Sequence, residues 1–169
     1  TLKNLINKGF NIPKLNIYKV RDFKKNKNKI VKNIKLSFKN NVAIRSSSAG
    51  EDLLGRTNAG KYKSFLNLDP SNEKKIKDAI EQIIKDYDYN FKNEFFVQEM
   101  VKEVKISGVC ITRDIHTKLP YTIINFAKGK DTTAVTSGKK NTQTINYLDN
   151  NFFKLKDKTV NKIFIASKK

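Results

Sequence analysis

At 169 residues, with 38% hydrophobic and 10% aromatic side chains, the chain is long enough to bury the core of one domain or two small lobes. No run approaches the ~18 apolar residues of a membrane span, and the first twenty residues lack the apolar block of a secretory signal, so a cytoplasmic chain with no membrane partner is expected. A net charge of +19, from 35 basic and 16 acidic residues, suits a polyanion: nucleic acid, an acidic surface or a polyphosphate.

The predicted elements run as follows. Residues 1–9 read as the end of a short helix with Leu2, Leu5 and Ile6 on one side, stopped by Gly9. Pro13 makes the next stretch, "FNIPKLNIYKV", extended. Residues 1–40 hold twelve Lys or Arg against the single acid Asp22, which at first suggests a nucleic-acid arm. Within them, however, Ile30, Ile34 and Phe38 recur every four positions with Val31 beside them, so residues 24–38 are expected to form one helix whose lysines face water. No nucleic-acid-binding motif accompanies the charge. "NNVAIRSS", 40–47, reads as a short strand ending near Arg45, residues 47–60 as a loop, and "KYKSFLNL" as a second strand. "DPSNEKKIKDAIEQIIKDY" is a helix with Asp69 as N-cap, Pro70 at its first position, and Ile76, Ala79, Ile80, Ile83, Ile84 and Tyr87 on its buried face. From about residue 95 the runs "FFVQEMV", "VKISGVCITRD", "YTIINFA", "TAVTS" and "TQTINYL" predict an antiparallel sheet. The expected organisation is a mixed first lobe over 1–94, carrying a phosphate-binding loop, and a strand-rich second lobe over 95–169 that opens on a hinge strand.

Cysteine and histidine offer little chemistry. Cys110 and His116 are each alone, which excludes an internal disulfide and a tetrahedral zinc site, and Cys110 sits in the apolar run Val109-Cys110-Ile111 as a small core residue. The informative stretch is "GRTNAGKYKS", 55–64. Gly55, Gly60 and Lys61 fit a Walker A loop, but Tyr62 stands where the magnesium-binding hydroxyl belongs. Such a loop also runs from a strand straight into a helix, whereas "GEDLL" precedes Gly55 and a predicted strand follows Lys61, so Walker A is rejected. A different anion cradle stays open: Arg45 at a strand end, the hydroxyls of Ser46, Ser47 and Ser48, and the turn at Ala59-Gly60. The alternative is that the serines cap a turn while Arg45 pairs with Glu51 or Asp52.

The whole string "VAIRSSSAGEDLLGRTNAGKYKSFLNL" resembles the signature of the pyruvate phosphate dikinase and phosphoenolpyruvate synthase family, rifampicin phosphotransferase included: V-A-V-R-S-S-A-x-A-E-D-x-x-x-x-S-F-A-G-Q-x-x-T-x-L-N. "GFNIPK", "FFVQEMV", "SGVCITRD" and "IINFAKGK" resemble further motifs of that family, in its order and over nearly the full length. The resemblance implies an α+β, two-lobed, ATP-grasp-like nucleotide-binding domain, here truncated, with largely antiparallel sheets. It implies a kinase-type transferase that passes a phosphoryl group from ATP to a histidine on a separate domain and thence to a small-molecule acceptor such as pyruvate, with ATP and Mg²⁺ as cofactors. By the same resemblance Arg45 contacts the phosphates and is the catalytic candidate, Gly60 belongs to the phosphate-covering turn fifteen positions on, Ser64 keeps the hydroxyl of the family's Thr, and Gln98 lies on the hinge strand beside the adenine. Glu51 and Asp52 match as partners holding Arg45.

Departures from the pattern narrow this reading. The family's metal-binding acids lie in a later D-x-E-W segment with no counterpart here, so no metal ligand is assigned within the chain. With Thr1 first and Met100 the one methionine, a piece of a longer chain is expected, inactive by itself. Asn58, Lys61 and Ile115 replace family residues, Gly129 is kept without the Leu-Gly-Glu that follows it, and His116 is not nominated as phosphoacceptor. A second reading, a non-catalytic basic module that keeps the scaffold and binds nucleic acid or an acidic partner, rests on the charge alone.

Overall fold

The computed structural model describes residues 7–47, 64–87, 92–113, 117, 119, 121–138, 142–148 and 158–167. They form an α+β architecture in two compact units, Thr1–Val101 and Lys102–Lys169. Among them no helix is long and apolar enough to cross a membrane.

The first unit is one antiparallel sheet with helices on one face. Its elements are β1 (Leu15–Lys19), α1 (Val20–Lys25), α2 (Lys27–Ser37), β2 (Val42–Ser47), β3 (Ser64–Leu68), α3 (Glu73–Asp86) and β4 (Glu94–Glu99). The strand order is β1-β4-β2-β3. "FFVQEM", expected to open the second lobe, is therefore an inner strand of the first sheet, paired with β1 on one side and β2 on the other. As an inner strand it buries Phe95 and Val97 on the helix side and half-covers Phe96 and Gln98 on the other, and such an apolar run by itself does not say to which sheet it belongs.

Between sheet and helices lies a core in which Val20, Phe23, Val31, Ile34 and Phe38 of the α1–α2 segment meet Val42, Ile44, Phe95 and Val97 of the sheet and Ile76, Ala79, Ile80, Ile83, Ile84 and Tyr87 of the α3 segment. Phe95 is its aromatic centre, stacked on Tyr18 at 5.5 Å and edge-on to Phe23 at 5.9 Å. Burial raises the Tyr18 hydroxyl pKa above its ordinary value. Still protonated, that hydroxyl donates to Asn33 Oδ1 at 2.8 Å.

Three local expectations are corrected. Residues 24–38 are not one helix: α1 begins at Val20 and the chain breaks at Asn26 (φ −151°, ψ 81°). Asn26 ends α1 by donating its N–H to Asp22, and starts α2 by accepting from Lys29 N–H at 3.0 Å, the competition with helix that a short amide side chain offers. Nor does Asp69 cap α3. It opens a turn in which Asn72 N–H bonds its carbonyl and Ser71 N–H its carboxylate, with Pro70 pre-set in between. The cap is Asn72, which accepts from Lys75 N–H at 3.0 Å, and Glu73 then sits in the first turn. The Ser71 bonds hold the Asp69 carboxyl below the usual carboxylate range.

In β3 a bulge is needed. Phe65 and Leu68 both pack against the core, although three-residue spacing puts side chains on opposite faces of a regular strand. The register slips between Val42↔Leu68 and Ile44↔Phe65, and Asn67 takes a left-handed φ of 57°, its side chain accepting from Asn41 Nδ2 at 2.8 Å.

The second unit is an antiparallel sheet β5 (Ile106–Ile111), β6 (Tyr121–Lys128), β7 (Gln143–Leu148), in that order, with helix α4 (Lys158–Ser167). Ile124 and Phe126 are buried, and Ile106, Cys110, Ile145 and Ile163 pack against them, Cys110 as a small, partly buried apolar group. Gly108, the glycine of "SGVCITRD", lies over β6 so closely that a Cβ there would stand 2.8 Å from Phe126 Cα and nearer still to the Asn125 carbonyl oxygen. "TAVTS" is not a strand but a series of turns over 132–138. Asp131 accepts from Thr133 N–H and Oγ1, and the Thr133 carbonyl accepts from Ser137 N–H and Oγ, local bonds that draw the backbone out of a ladder.

Two outcomes follow for stability. Gly108→Ala should lower the unfolding free energy by about 1–3 kcal/mol, since the obstacle is backbone and cannot rotate away; an unchanged denaturant midpoint would contradict the close crossing. Asn67→Gly should be tolerated while Asn67→Val costs about 1–3 kcal/mol, because glycine takes that φ freely whereas a β-branched residue is strongly disfavoured there; chemical denaturation of both variants checks the difference.

Candidate functional site

Strand alternation sorts β2 into two faces. Val42, Ile44 and Ser46 turn to the helices, while Ala43, Arg45 and Ser47 turn away. Of the hydroxyls read together in the sequence, the two described are separated: Ser46, 8% exposed, belongs to the core side, and Ser47 shares a face with Arg45. Ser48 lies outside the described residues, as do Gly60, Glu51, Asp52 and His116.

Register carries the face across all four strands. Ile17 of β1 pairs with Phe96 of β4, Phe96 with Arg45 of β2, and Arg45 with Ser64 of β3, one continuous row. The next row is Leu15, Gln98 and Ala43, and the row on the other side is Lys19, Glu94 and Ser47. Side chains directly opposite each other have Cβ atoms about 5 Å apart, and diagonal neighbours are about 7–8 Å apart. Arg45 and Ser64 are therefore immediate neighbours, and Gln98 stands one diagonal step from Arg45. Three of the four sequence-derived candidates share one face, and the fourth, Gly60, is not described.

The chemistry of this face is mixed in a useful way. Arg45 and Ser64 are exposed, and Gln98 is half-buried. Among the described residues no acid pairs with the Arg45 guanidinium and none hydrogen-bonds the Ser64 hydroxyl or the Gln98 amide, so five N–H donors, a hydroxyl and an amide point from the sheet with no partner among those residues. Beside them Leu15, Phe96 and the 42%-exposed Ile17 form an apolar strip. A shallow hollow of about 320 Å³ edged by Lys19, Arg21, Lys92 and Glu94 adds positive charge at the Ser47 end of the face. An oxygen-rich anion with a flat apolar appendage fits such a donor set.

Sequence reasoning does not single out Ile17 and Phe96, because only the register shows which side chains flank Arg45. A cavity of about 430 Å³ lies elsewhere in this unit, among Phe23, Lys27, Asp78, Glu81, Ile84 and Lys85. The Lys27–Glu81 ion pair at 2.8 Å belongs to it, and it holds none of the candidate residues. In the second unit Gly129 adopts φ 123°, open to glycine, and donates its N–H to the Lys105 carbonyl at 2.8 Å, so the glycine of "IINFAKGK" has a backbone reason to be there. Among the described residues no group of three or more His, Cys, Asp or Glu is placed to hold a metal ion.

No curated protein sequence matches the chain significantly. The family model described as the pyruvate phosphate dikinase AMP/ATP-binding domain matches residues 17–166, which span most of both units and include the Arg45 row, Gly108 and Gly129. With so much of its length matched, the chain belongs to the pyruvate phosphate dikinase AMP/ATP-binding domain family.

Proposed function

We propose that the Arg45 face is the phosphate-binding part of an ATP site and that the chain is the nucleotide-binding portion of an ATP-dependent phosphotransferase related to phosphoenolpyruvate synthase. The supporting observation is the cross-strand pair Arg45↔Ser64 with Gln98 on the same face, three residue types that complement a polyphosphate and a nucleobase. Arg45 holds the phosphate oxygens by charge-assisted hydrogen bonds and offsets the negative charge that phosphoryl transfer spreads over them. Ser64 donates its hydroxyl to the same group from the neighbouring strand. Gln98, beside Leu15 and one row from Phe96, orients the base, and Gly60 lets main chain approach the phosphates without a side chain in the way. Mg²⁺ neutralises charge on the nucleotide when bound, and none of this chain's acids is assigned to it. The phosphoryl group then passes to a histidine on another domain and on to a small acceptor.

The net charge of +19 favours a second reading, a basic module that holds nucleic acid. It requires retardation of DNA or RNA in a gel that fades steeply with salt; no retardation at low salt removes it.

The test of the main reading is calorimetric titration with Mg-ATP. Arg45→Ala should weaken binding about tenfold to a hundredfold, the equivalent of about 1.5–3 kcal/mol for a lost charged hydrogen-bond partner. Equal affinity in wild type and variant would refute it.

A further inference from the structure

We infer that Tyr87 is a positioning residue for the Arg45 face, acting through its hydroxyl on the end of β2; the inference rests on the reading of Arg45 as a phosphate ligand. Tyr87 closes α3, its own N–H bonded to the Ile84 and Lys85 carbonyls, and its ring is 5% exposed within the core. Periodicity alone explains the ring as the last member of an apolar helix face. It does not explain the hydroxyl, for which phenylalanine would fill nearly the same volume.

The hydroxyl is fully used. It accepts the Ser47 N–H at 2.5 Å and donates to the Glu94 carbonyl at 2.7 Å. Ser47 and Glu94 are register partners, the last pair between β2 and β4. In an ordinary antiparallel sheet such a donor and acceptor face one another directly. Here the Tyr87 hydroxyl, reaching from the helix layer, bonds both of them, so the two strands are tied to the end of α3 at this point. Ser47 is two residues from Arg45 and on its face, and Glu94 is two residues from Phe96 in the Arg45 row. The core below is close-packed and does not absorb small shifts, so a shift at this tie is passed to the row above it. Displacements of about 1 Å at a charged ligand are enough to cost one to two orders of magnitude in function.

Three variants in the same chain test this: Tyr87→Phe, which removes only the hydroxyl; Ile83→Val, which trims the same helix's core face; and Arg45→Ala. With Mg-ATP as probe, Tyr87→Phe should bind about tenfold more weakly with its circular dichroism unchanged, and amide exchange at residues 45–47 in the nucleotide-free protein should speed about tenfold. Ile83→Val should leave the affinity within about twofold. Wild-type affinity in Tyr87→Phe, or an equal loss in Ile83→Val, overturns the positioning role, while loss in Arg45→Ala keeps the phosphate reading standing. If wild type takes no nucleotide, the phosphate reading fails by itself, and unchanged exchange at 45–47 in Tyr87→Phe then overturns the latch as well. Should Tyr87→Phe not fold, the wild-type chain decides: a slowly exchanging Tyr87 hydroxyl proton with a cross-peak to the Ser47 amide supports the latch, and its absence overturns it.

Discussion

The register of β2 between its two neighbours is the constraint on which the rest depends. A strand shows one face to the core and the other away from it, and a slip of one residue exchanges the two. Ile44 and Val42 are wholly buried, and nothing but the apolar face of β2 can occupy their place without putting a guanidinium into the core. The hydrophobic requirement on one side of the sheet therefore fixes, on the other side, that Arg45 meets Phe96 and Ser64. Placement of the charged group costs nothing extra, because burying its strand neighbours already decides it. The bulge at Asn67 serves the same end: it returns Leu68 to the core while leaving Ser64 in register with Arg45.

Helices α1–α3 supply the rigidity. α3 carries an unbroken apolar stripe from Ile76 to Tyr87 and bears on both β2 and β3, and α2 packs against it. Lys35–Glu73 at 2.8 Å ties the two helices at their exposed side, and Lys35 holds the Glu73 carboxyl below its usual range. Being fully solvated, that pair contributes through the acid side only: its stabilisation is present above the unfolded carboxylate pKa and fades as pH falls through the lowered one. Lys14, whose ammonium donates to the Ser37 carbonyl at 2.6 Å and lies over the Phe38 ring, performs the matching task at the carboxyl end of α2.

Much of this was legible in the sequence, for reasons that differ by element. The α3 face was readable residue by residue because its period is unambiguous over fourteen helical positions. Arg45, Ser64 and Gln98 are proposed from ordered motifs, not from chemistry, which alone leaves Arg45 with the choice between an anion and a nearby acid; the structure adds that the three share one face. What failed was local and polar. Asn26 broke a helix that apolar spacing carried straight through, Asn72 took the cap that Asp69 also suited, and Asp131 turned "TAVTS" out of the ladder. In each case a short side chain bonding its own backbone outbid a propensity of a few tenths of a kcal/mol. The assignment of β4 failed for another reason: pairing partners are non-local, and an apolar run carries no mark of its sheet.

The bulge in β3 reaches beyond packing. Among the described residues β3 has a neighbour on one side only, and so does β1. A straight apolar border of this kind is a template on which a second molecule can lay a strand, the first step toward aggregates. The kink at Asn67 twists one border out of the flat geometry such growth requires, and Lys19, at the end of β1, puts charge on the other. In a molecule whose net charge already makes copies repel, the irregularity that seats Leu68 thus also helps keep the protein in solution as it folds.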